Sequence, residues 1–243
     1  MKDNLKDLID HTYGLGCIEL IKITGTEEET IINAVAEDKS VIVSGKFKTP
    51  ISDFIGVFGM PNLGKLKTII GFDEYDEHSK IGVTRTLRDD VQVPSTIHFE
   101  TKNGDFLNDY RLMFKSVVDE KVGKVAFKGA AWNIDFQPSV ANVSRLKKQS
   151  QANSEEKHFM FKTDNGDLRI YFGDPSTHSG NFVFEAGVTG TTNSNLLWPV
   201  KEFISIMDLV GDKNIRISDA GATEITVDSG MATYRYLLPA QKK

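Results

Sequence analysis

Residues 59–65 carry a pattern that in other proteins binds phosphate. Gly59, Gly64 and Lys65 match the spacing G-x-x-x-x-G-K. In a phosphate-binding loop the next residue is a Ser or Thr that holds Mg²⁺, and a strand leads into a helix. Here the next residue is Leu66, and the apolar spacing predicts a helix before the loop and a strand after it. We therefore interpret residues 59–65 as a turn. An enzyme that binds ATP at this loop is a rival hypothesis, which a nucleotide titration would test.

The other residues that could support catalysis or metal binding are scattered along the chain. None of the five histidines stands four residues from another or beside a Cys-x-x-Cys pair, so the spacing does not predict a zinc site. The sequence has no G-x-S-x-G nucleophile motif, and its 34 carboxylates do not single out an acid–base pair. We therefore name no catalytic residue, metal ligand or cofactor, and we expect a protein that is not an enzyme.

The composition indicates an ordinary globular protein. Of its 243 residues, 40% are hydrophobic and 26% are charged, and the single Cys17 fits a reducing compartment. No apolar stretch approaches the roughly 20 residues that a membrane helix needs, so we expect a cytoplasmic protein without a membrane partner. The net charge of −5 argues against a chain that coats DNA by bulk attraction, but basic residues can still be gathered on one surface.

Most of the chain alternates polar and apolar residues with a period of two. Phe159 and Phe161 alternate with polar neighbours, a turn follows at Asn165 and Gly166, and the alternation resumes to Phe172. Such a pattern predicts a half-buried antiparallel hairpin. The same pattern recurs from Ile97, from Phe182 and from Ile215 onward.

Four segments have helical spacing instead, near residues 3–13, 51–59, 138–150 and 199–210. The order is helix, strands, helix, strands, and then the same again, which is a weak internal repeat. The largely polar stretch from 114 to 124 joins the halves. We predict two domains, residues 1–117 and 118–243.

The segment at 138–150 is the most informative because it contains no acidic residue. At about 100° per residue, Val140, Val143 and Leu146 form the expected buried stripe. Arg145 and Lys148 project from the opposite side, and Lys147 falls at the edge of the stripe. This helix presents either an ordinary solvated face or a surface that contacts phosphates without reading sequence.

Basic residues on the other predicted helices are fewer or are mixed with acids. Lys2 and Lys6 lie among three aspartates, and Lys201 is close to Glu202 and Asp208. The segment at 51–59 has no basic residue, although Lys65 and Lys67 follow it.

The order of these elements resembles the DNA sliding clamps, a family of processivity factors that includes proliferating cell nuclear antigen. The clamps of T-even-type bacteriophages are the closer match. The resemblance is sharpest from Val143 to Arg145 and in the hairpin from Phe159 to Phe172. It extends to the helix at 203–207, to the ending from Tyr236 to Pro239, and to residues 53–58, which resemble the second helix of the first domain. The acidic loop from Asp73 to Lys80 departs from the family pattern.

The resemblance implies an α+β clamp fold of two similar domains, each with two helices packed on antiparallel sheets. It implies a homotrimeric ring around double-stranded DNA, with a DNA polymerase and an ATP-dependent clamp loader as partners, in the host cytoplasm if the protein is viral. The DNA-facing residues would be Arg145, Lys147 and Lys148 first, followed by Lys2, Lys6, Lys65, Lys67 and Lys201. A pocket for a partner peptide would be lined by Tyr236, Leu238, Pro239, Phe114 and Val117, unless these residues are strand core and linker.

A β-rich phage structural protein of the tail or baseplate is the main alternative. It would also be acidic, rich in strands and non-enzymatic, but it predicts no basic helix face. A closed ring must cap its sheet edges with neighbouring subunits. For that reason we expect edge strands near 105–113 and 180–187 to form the subunit interface.

Overall fold

A computed structural model describes residues 1–123, 129–176, 178–193 and 195–242. The chain packs as two compact units, Met1–Ala126 with Ser229–Tyr234, and Phe127–Asp228 with Arg235–Lys243. The described helices are α1 (Lys2–His11), α2 (Leu63–Ile70), α3 (Lys115–Val122), α4 (Val140–Ala152) and α5 (Val200–Asp208).

The first unit contains two antiparallel sheets. One follows the order β8-β4-β1-β2-β3 and the other the order β5-β6-β7. The bounds of the strands are β1 (Leu20–Gly25), β2 (Thr30–Val35), β3 (Ile42–Phe47), β4 (Gly56–Pro61), β5 (Lys80–Arg88), β6 (Val91–Glu100), β7 (Leu107–Arg111) and β8 (Met113–Phe114). Helices α1 and α2 pack against each other in this unit.

The second unit repeats this plan. Its strands follow the orders β16-β15-β14-β9 and β12-β11-β10-β13-β17, with β16 belonging to this unit from Arg235 onward. Helix α4 packs on β12 and on α5. The bounds are β9 (Ile134–Phe136), β10 (His158–Asp164), β11 (Asp167–Gly173), β12 (Ser179–Glu185), β13 (Leu196–Pro199), β14 (Asp212–Ser218), β15 (Ala222–Asp228), β16 (Ala232–Pro239) and β17 (Gln241–Lys242).

The predicted hairpin at Asn165 and Gly166 is confirmed. Strands β10 and β11 pair antiparallel down to Asp164 opposite Asp167. Asn165 and Gly166 have φ of 52° and 85°, and two positive values in a two-residue loop are typical of the turn that suits twisted strands. Alternate side chains of both strands, including Phe161 and Ile170, are fully buried.

The helix predicted at 51–59 is wrong. A short 3₁₀ turn, Ser52–Phe54, is followed by β4, which pairs with β1 from Leu20 opposite Pro61 to Gly25 opposite Gly56. A short apolar run has no decisive period, and glycines at 56 and 59 weaken a helix. Gly25 is required for the close approach, since a Cβ there would lie 2.0 Å from the Phe54 carbonyl oxygen.

The strand predicted at Lys67–Ile70 is also wrong, because these residues belong to α2. Leu63, Leu66, Ile69 and Ile70 are all buried, and their spacing places them on one side of a helix. The second helix of the first unit therefore lies one element later than the sequence suggested, and it carries Lys65 and Lys67.

The helices predicted at 138–150 and 199–210 are confirmed with shifted ends. The Ser139 hydroxyl caps α4 by accepting a hydrogen bond from the Asn142 N–H at 3.2 Å. Val140, in the first turn of the helix, is not part of the buried stripe as predicted but is 88% exposed, and Val143 is half-buried, so only Leu146 of the predicted stripe is buried. Likewise α5 ends at Asp208, and Val210 beyond it is 80% exposed.

The polar stretch predicted to join the halves contains a helix. Helix α3 packs on β1 and β4, and its Val118 is fully buried. A Cβ on Gly59 would lie 2.8 Å from a Val118 methyl group, so α3 rests directly on the glycine. The whole of α3 lies in the first compact unit.

Candidate nucleic-acid interface

Helix α4 presents an exposed face that carries positive charge and no acid. Arg145 and Lys148 are exposed, as are the small or polar residues Ala141, Ser144 and Gln151 on the same side. Each of these positions has another of them three or four residues away, which is the spacing of a single helix face. The opposite side is held down by Leu146, which is fully buried. The face can meet a polyanion with two cations and no competing carboxylate.

Lys147 points away from that face. Its ammonium pairs with Asp208 at the end of α5. Lys213 also lies there, donating to the Leu209 and Gly211 carbonyls, the latter at 3.0 Å. Burial lowers the pKa of Lys213, and the positive charge of Lys147 lowers it further, while Asp208 and Asp212 oppose the shift. Lys147 thus neutralises an acidic helix end, and the structure does not bring it together with Arg145 and Lys148.

Helix α2 carries two exposed lysines in the first unit, one at each edge of its exposed side. Lys65 and Lys67 are exposed, and the helix contains no acidic residue. The Lys67 ammonium lies 5.6 Å from the centre of the Tyr13 ring, which orients it without neutralising it. The sequence alone could have pointed to this helix, since residues 63–70 contain no acidic residue, as is also true of 138–150. The signal was missed because the helix was predicted at 51–59 instead.

Helix α1 is a weaker candidate. The Lys2 ammonium donates to the Phe72 and Tyr75 carbonyls. Its exposed positions are Asp3, Lys6 and Asp10, so acids outnumber the single lysine on that face. Of the two predicted lysines, only Lys6 remains in the position that the prediction requires.

Asp7 of α1 is turned inward. Its side chain is 9% exposed, and it accepts a hydrogen bond from the Tyr234 hydroxyl at 2.8 Å. The Tyr234 ring stacks on His11 with the ring centres 4.7 Å apart. This cluster therefore holds α1 in the first unit, and Asp7 adds little to the charge that the helix presents to solvent.

Helix α5 offers one exposed cation. Lys201 is exposed, Glu202 is half-buried, and Asp208 is occupied by Lys147. Lys201 therefore stands as a single charge beside the stronger face of α4.

Two comparisons with known proteins find nothing: no family model matches the sequence, and no curated protein is detectably similar. Solved structures do match. A. fulgidus PCNA, in a structure with the C-terminal region of FEN-1 bound, aligns with a TM-score of 0.66 over 100% of this chain and 96% of that chain, at 13% identity. PCNA from Thermococcus kodakaraensis aligns with a TM-score of 0.64 over 99% of this chain and 95% of that chain, at 9% identity. The chain has the sliding-clamp fold. At such low identity the likeness establishes the fold alone.

The predicted pocket residues of this clamp fold differ in exposure. Tyr236 and Leu238 are fully buried, whereas Pro239 is exposed and Val117 is 40% exposed. Phe114 is half-buried, and the Arg88 guanidinium lies 4.6 Å from the centre of its ring. Tyr236 and Leu238 therefore contribute to the core, and the side chains that present surface are Phe114, Val117 and Pro239.

The glycine-lysine motif does not form a phosphate cradle in the clamp fold. The motif follows strand β4 and leads into helix α2, which is the order found in a phosphate-binding loop. We had expected the reverse order, a helix followed by a strand. However, Gly59 lies inside β4, opposite Lys22 of β1, and Asn62 is the only residue between the strand and the helix. The Lys65 N–H already donates to the Asn62 carbonyl at 2.9 Å. Too few backbone N–H groups remain to surround a phosphate.

The described residues contain no group of three or more His, Cys, Asp or Glu side chains that could hold a metal ion. None of the helices in the described part of the chain is long and apolar enough to cross a membrane.

Proposed function

We propose that this chain is a sliding-clamp subunit that closes into a ring around duplex DNA. The observation that carries the proposal is the acid-free exposed face of α4 with Arg145 and Lys148, together with two exposed lysines on the acid-free helix α2, in a protein whose net charge is −5. Cations on such faces meet phosphates without touching base edges, so they favour DNA of any sequence. The tail or baseplate alternative predicts no such face.

Retention by a ring does not require strong contacts. A closed ring leaves linear DNA only at an end, so each phosphate contact can be weak and the ring can slide. The function requires no bond-making by the clamp itself, which fits a non-enzymatic scaffold. We propose a homotrimer related to the T-even-type phage clamps, acting in the host cytoplasm.

The proposed subunit interface uses the edge strands β7 and β12. Each is the outermost strand of its sheet, with backbone N–H and C=O groups available for a neighbour. These strands overlap the segments 105–113 and 180–187 that we expected at the interface. Pairing β7 of one subunit with β12 of the next would continue a sheet across the interface and close the ring by a repeated head-to-tail contact.

The proposed partners are a DNA polymerase and an ATP-dependent clamp loader. The A. fulgidus structure has the C-terminal region of FEN-1 bound to PCNA, so a protein of this fold accepts a terminal segment of another protein. We propose that partners of this chain insert a short peptide with apolar anchors near Phe114, Val117, Pro239, Tyr236 and Leu238.

Loading onto nicked circular DNA tests the ring directly. The clamp is loaded with its cognate loader, and the DNA is then linearised with a restriction enzyme. Protein held by topology slides off the linear product and stays on the uncut circle. Protein that remains bound after cutting is held by direct affinity, which would contradict the proposal.

Charge reversal tests the two helix faces. Arg145→Glu with Lys148→Glu, and separately Lys65→Glu with Lys67→Glu, should reduce the clamp retained on circular DNA without changing its oligomeric mass. Lys39→Glu with Lys121→Glu is the matched control, because both lysines are exposed and lie outside these helices. Wild-type retention by both test variants would refute the assignment of the faces.

A further inference from the structure

Two of the three arginines of the first unit line one cleft, and the third lies over the ring of a residue in its lining. Arg85 and Arg111 line an open cleft of about 600 Å³ on the sheet β5-β6-β7, and Arg88 stacks on Phe114, which also lines it. The first unit contains no other arginine. In a protein with net charge −5, such a concentration of guanidinium groups away from the helices points to an anionic ligand.

The strand register explains why these side chains meet. Thr84, Thr96 and Arg111 stand opposite one another across the three strands, and His98 stands opposite Asp109. Directly opposite residues share one face of a sheet. The residues between them, Ile97, Phe99 and Tyr110, are buried on the other face. The cleft is therefore formed by the solvent-facing side of the sheet.

The arginines are fixed mainly by neutral partners and keep their positive charge. Arg111 donates to the Thr96 hydroxyl at 3.2 Å, and Arg85 donates to the Ile55 carbonyl at 2.7 Å. Arg88 reaches a carboxylate only at 4.0 Å, from Asp89. A neutral acceptor orients a guanidinium group without cancelling its charge. The N–H groups that remain can donate hydrogen bonds to a carboxylate.

The carboxylate that lines the cleft is already engaged. Asp109 lies 2.7 Å from the Nδ1 of His98, whose Nε2 is 3.4 Å from Glu100. Lys80 in turn lies 3.4 Å from Glu100. Asp109 is therefore engaged with His98, and Arg85 and Arg111 are the charged side chains that line the rest of the cleft.

The cleft faces away from the proposed DNA surface of its own unit. The Tyr110 hydroxyl, on the buried face of the sheet, bonds to the Pro61 carbonyl just before α2. Phe99 on that face packs against Tyr75, which follows α2, with ring centres 5.4 Å apart. Helix α2 is thus on the buried side of the sheet and the cleft is on the other, so duplex DNA on α2 does not reach the cleft.

We propose that this cleft binds an acidic segment of a partner protein. Arg111 and Arg85 would contact its carboxylates, with Arg88 behind them, while Phe114 would supply an apolar wall. The ligand class is defined by charge, which separates this cleft from the apolar partner pocket proposed above, although both would use Phe114. The proposal does not depend on the chain encircling DNA.

A fluorescein-labelled oligoglutamate peptide tests the cleft by fluorescence anisotropy on the full chain at low salt. The wild type should bind it and should not bind a labelled oligoglutamine of the same length. Arg111→Gln should weaken binding about tenfold, the usual effect of losing one charge-assisted hydrogen bond. Arg169→Gln is the matched control, because this arginine lies on β11 of the second unit and contacts Asn181. It should bind like the wild type.

If a thermal melt shows that Arg111→Gln is unstable, Arg88→Gln serves as a second variant. Arg88→Gln is also expected to weaken binding of the oligoglutamate peptide. Three outcomes would overturn the proposal: no binding by the wild type, equal binding of the two peptides, or equal affinities for the cleft variants and Arg169→Gln. Loss of binding in Arg145→Glu with Lys148→Glu, with the cleft variants unaffected, would place the peptide on the helix face instead and would also reject the cleft.

Discussion

Lys147 and Lys148 show how adjacent lysines take different roles. One helical step turns Lys147 toward Asp208 of α5 and leaves Lys148 on the exposed face with Arg145. An exposed ion pair contributes little to stability, since both partners stay largely hydrated. In the proposed complex, Lys148 would contribute when a phosphate replaces its water.

Neutralising each lysine separately distinguishes these roles. Lys148→Gln should weaken DNA binding and reduce the slope of log affinity against log salt by about 1, the loss of one phosphate contact. Lys147→Gln should leave the slope unchanged and should alter the free energy of unfolding by less than about 1 kcal/mol. Salt titrations of duplex binding measure the first effect and urea unfolding the second. A reduced slope for Lys147→Gln would show that its ion pair opens on DNA.

His98 should make the stability of the first unit depend on pH. The hydrogen bond to Asp109 raises its pKa, with Glu100 contributing and burial opposing. A raised pKa in the folded state means that protonation favours folding. This stabilisation is complete below the unfolded pKa of about 6.5 and disappears as pH rises through the folded pKa.

His98→Gln should therefore flatten the fall in unfolding free energy above about pH 6.5, as measured by urea unfolding at a series of pH values. His78→Gln, at an exposed position in a turn, should leave the profile unchanged. A wild-type profile in His98→Gln would assign the pH dependence to another group.

At the scale of the element, the wrong choices between helix and strand lie in residues 51–70, and helix α3 (Lys115–Val122) was not predicted. Apolar residues from Phe54 to Met60 fit a helix or a strand equally well over so short a length. The choice is made by β1, whose backbone pairs with Gly56–Pro61 along its whole length. Because residues 56–61 form β4, the second helix of the unit begins only after it and is formed by the next apolar run, Leu63–Ile70.

The contact of Gly59 with Val118 tests how α3 is attached to the sheet. Gly59→Ala should destabilise the protein by about 1–3 kcal/mol, because the new methyl group overlaps the valine. Val118→Ala should cost about 2 kcal/mol of buried contact. The double variant should be less destabilised than the sum by at least about 0.5 kcal/mol, since the alanine makes room. Additive losses in urea unfolding would show that α3 shifts instead.

At the scale of the whole molecule, the charge is segregated. Helices α2 and α4 of this chain of net charge −5 carry exposed lysine or arginine and no acid, its first-unit arginines lie on a separate sheet face, and the turn Asp73–Glu77 is acidic. Repulsion of DNA by acidic surface would then favour an approach of the duplex to α2 and α4.

Edge strand β7 provides a test of assembly. Leu107 is 57% exposed at this edge, and a subunit interface would cover it. Leu107→Glu should convert a trimer to monomers in light scattering, because an interface does not accept an unpaired charge. Leu87→Glu, at a 63% exposed leucine of β5, should leave the trimer intact. A trimeric Leu107→Glu would remove β7 from the interface, and a monomeric wild type at micromolar concentration would contradict the closed ring.

The sequence by itself determined what depends on neighbours along the chain. Alternation identified the antiparallel strands, Asn165 and Gly166 identified their turn, and α4 was recognised because periodicity and the absence of acids coincide in one segment. These features also supported the resemblance to sliding clamps, and the structural comparison confirms the fold.

Only the tertiary structure decided which basic residues remain available. Lys2 is occupied by carbonyls 70 and 73 residues away, and Asp7 by Tyr234, 227 residues away. Lys65 and Lys67 lie on a helix that begins only after β4, because β4 pairs with β1, a strand much earlier in the chain. The arginine cleft likewise assembles from three strands in register. A linear pattern does not encode such partners, because the contacts that fix a side chain come from residues that folding brings together.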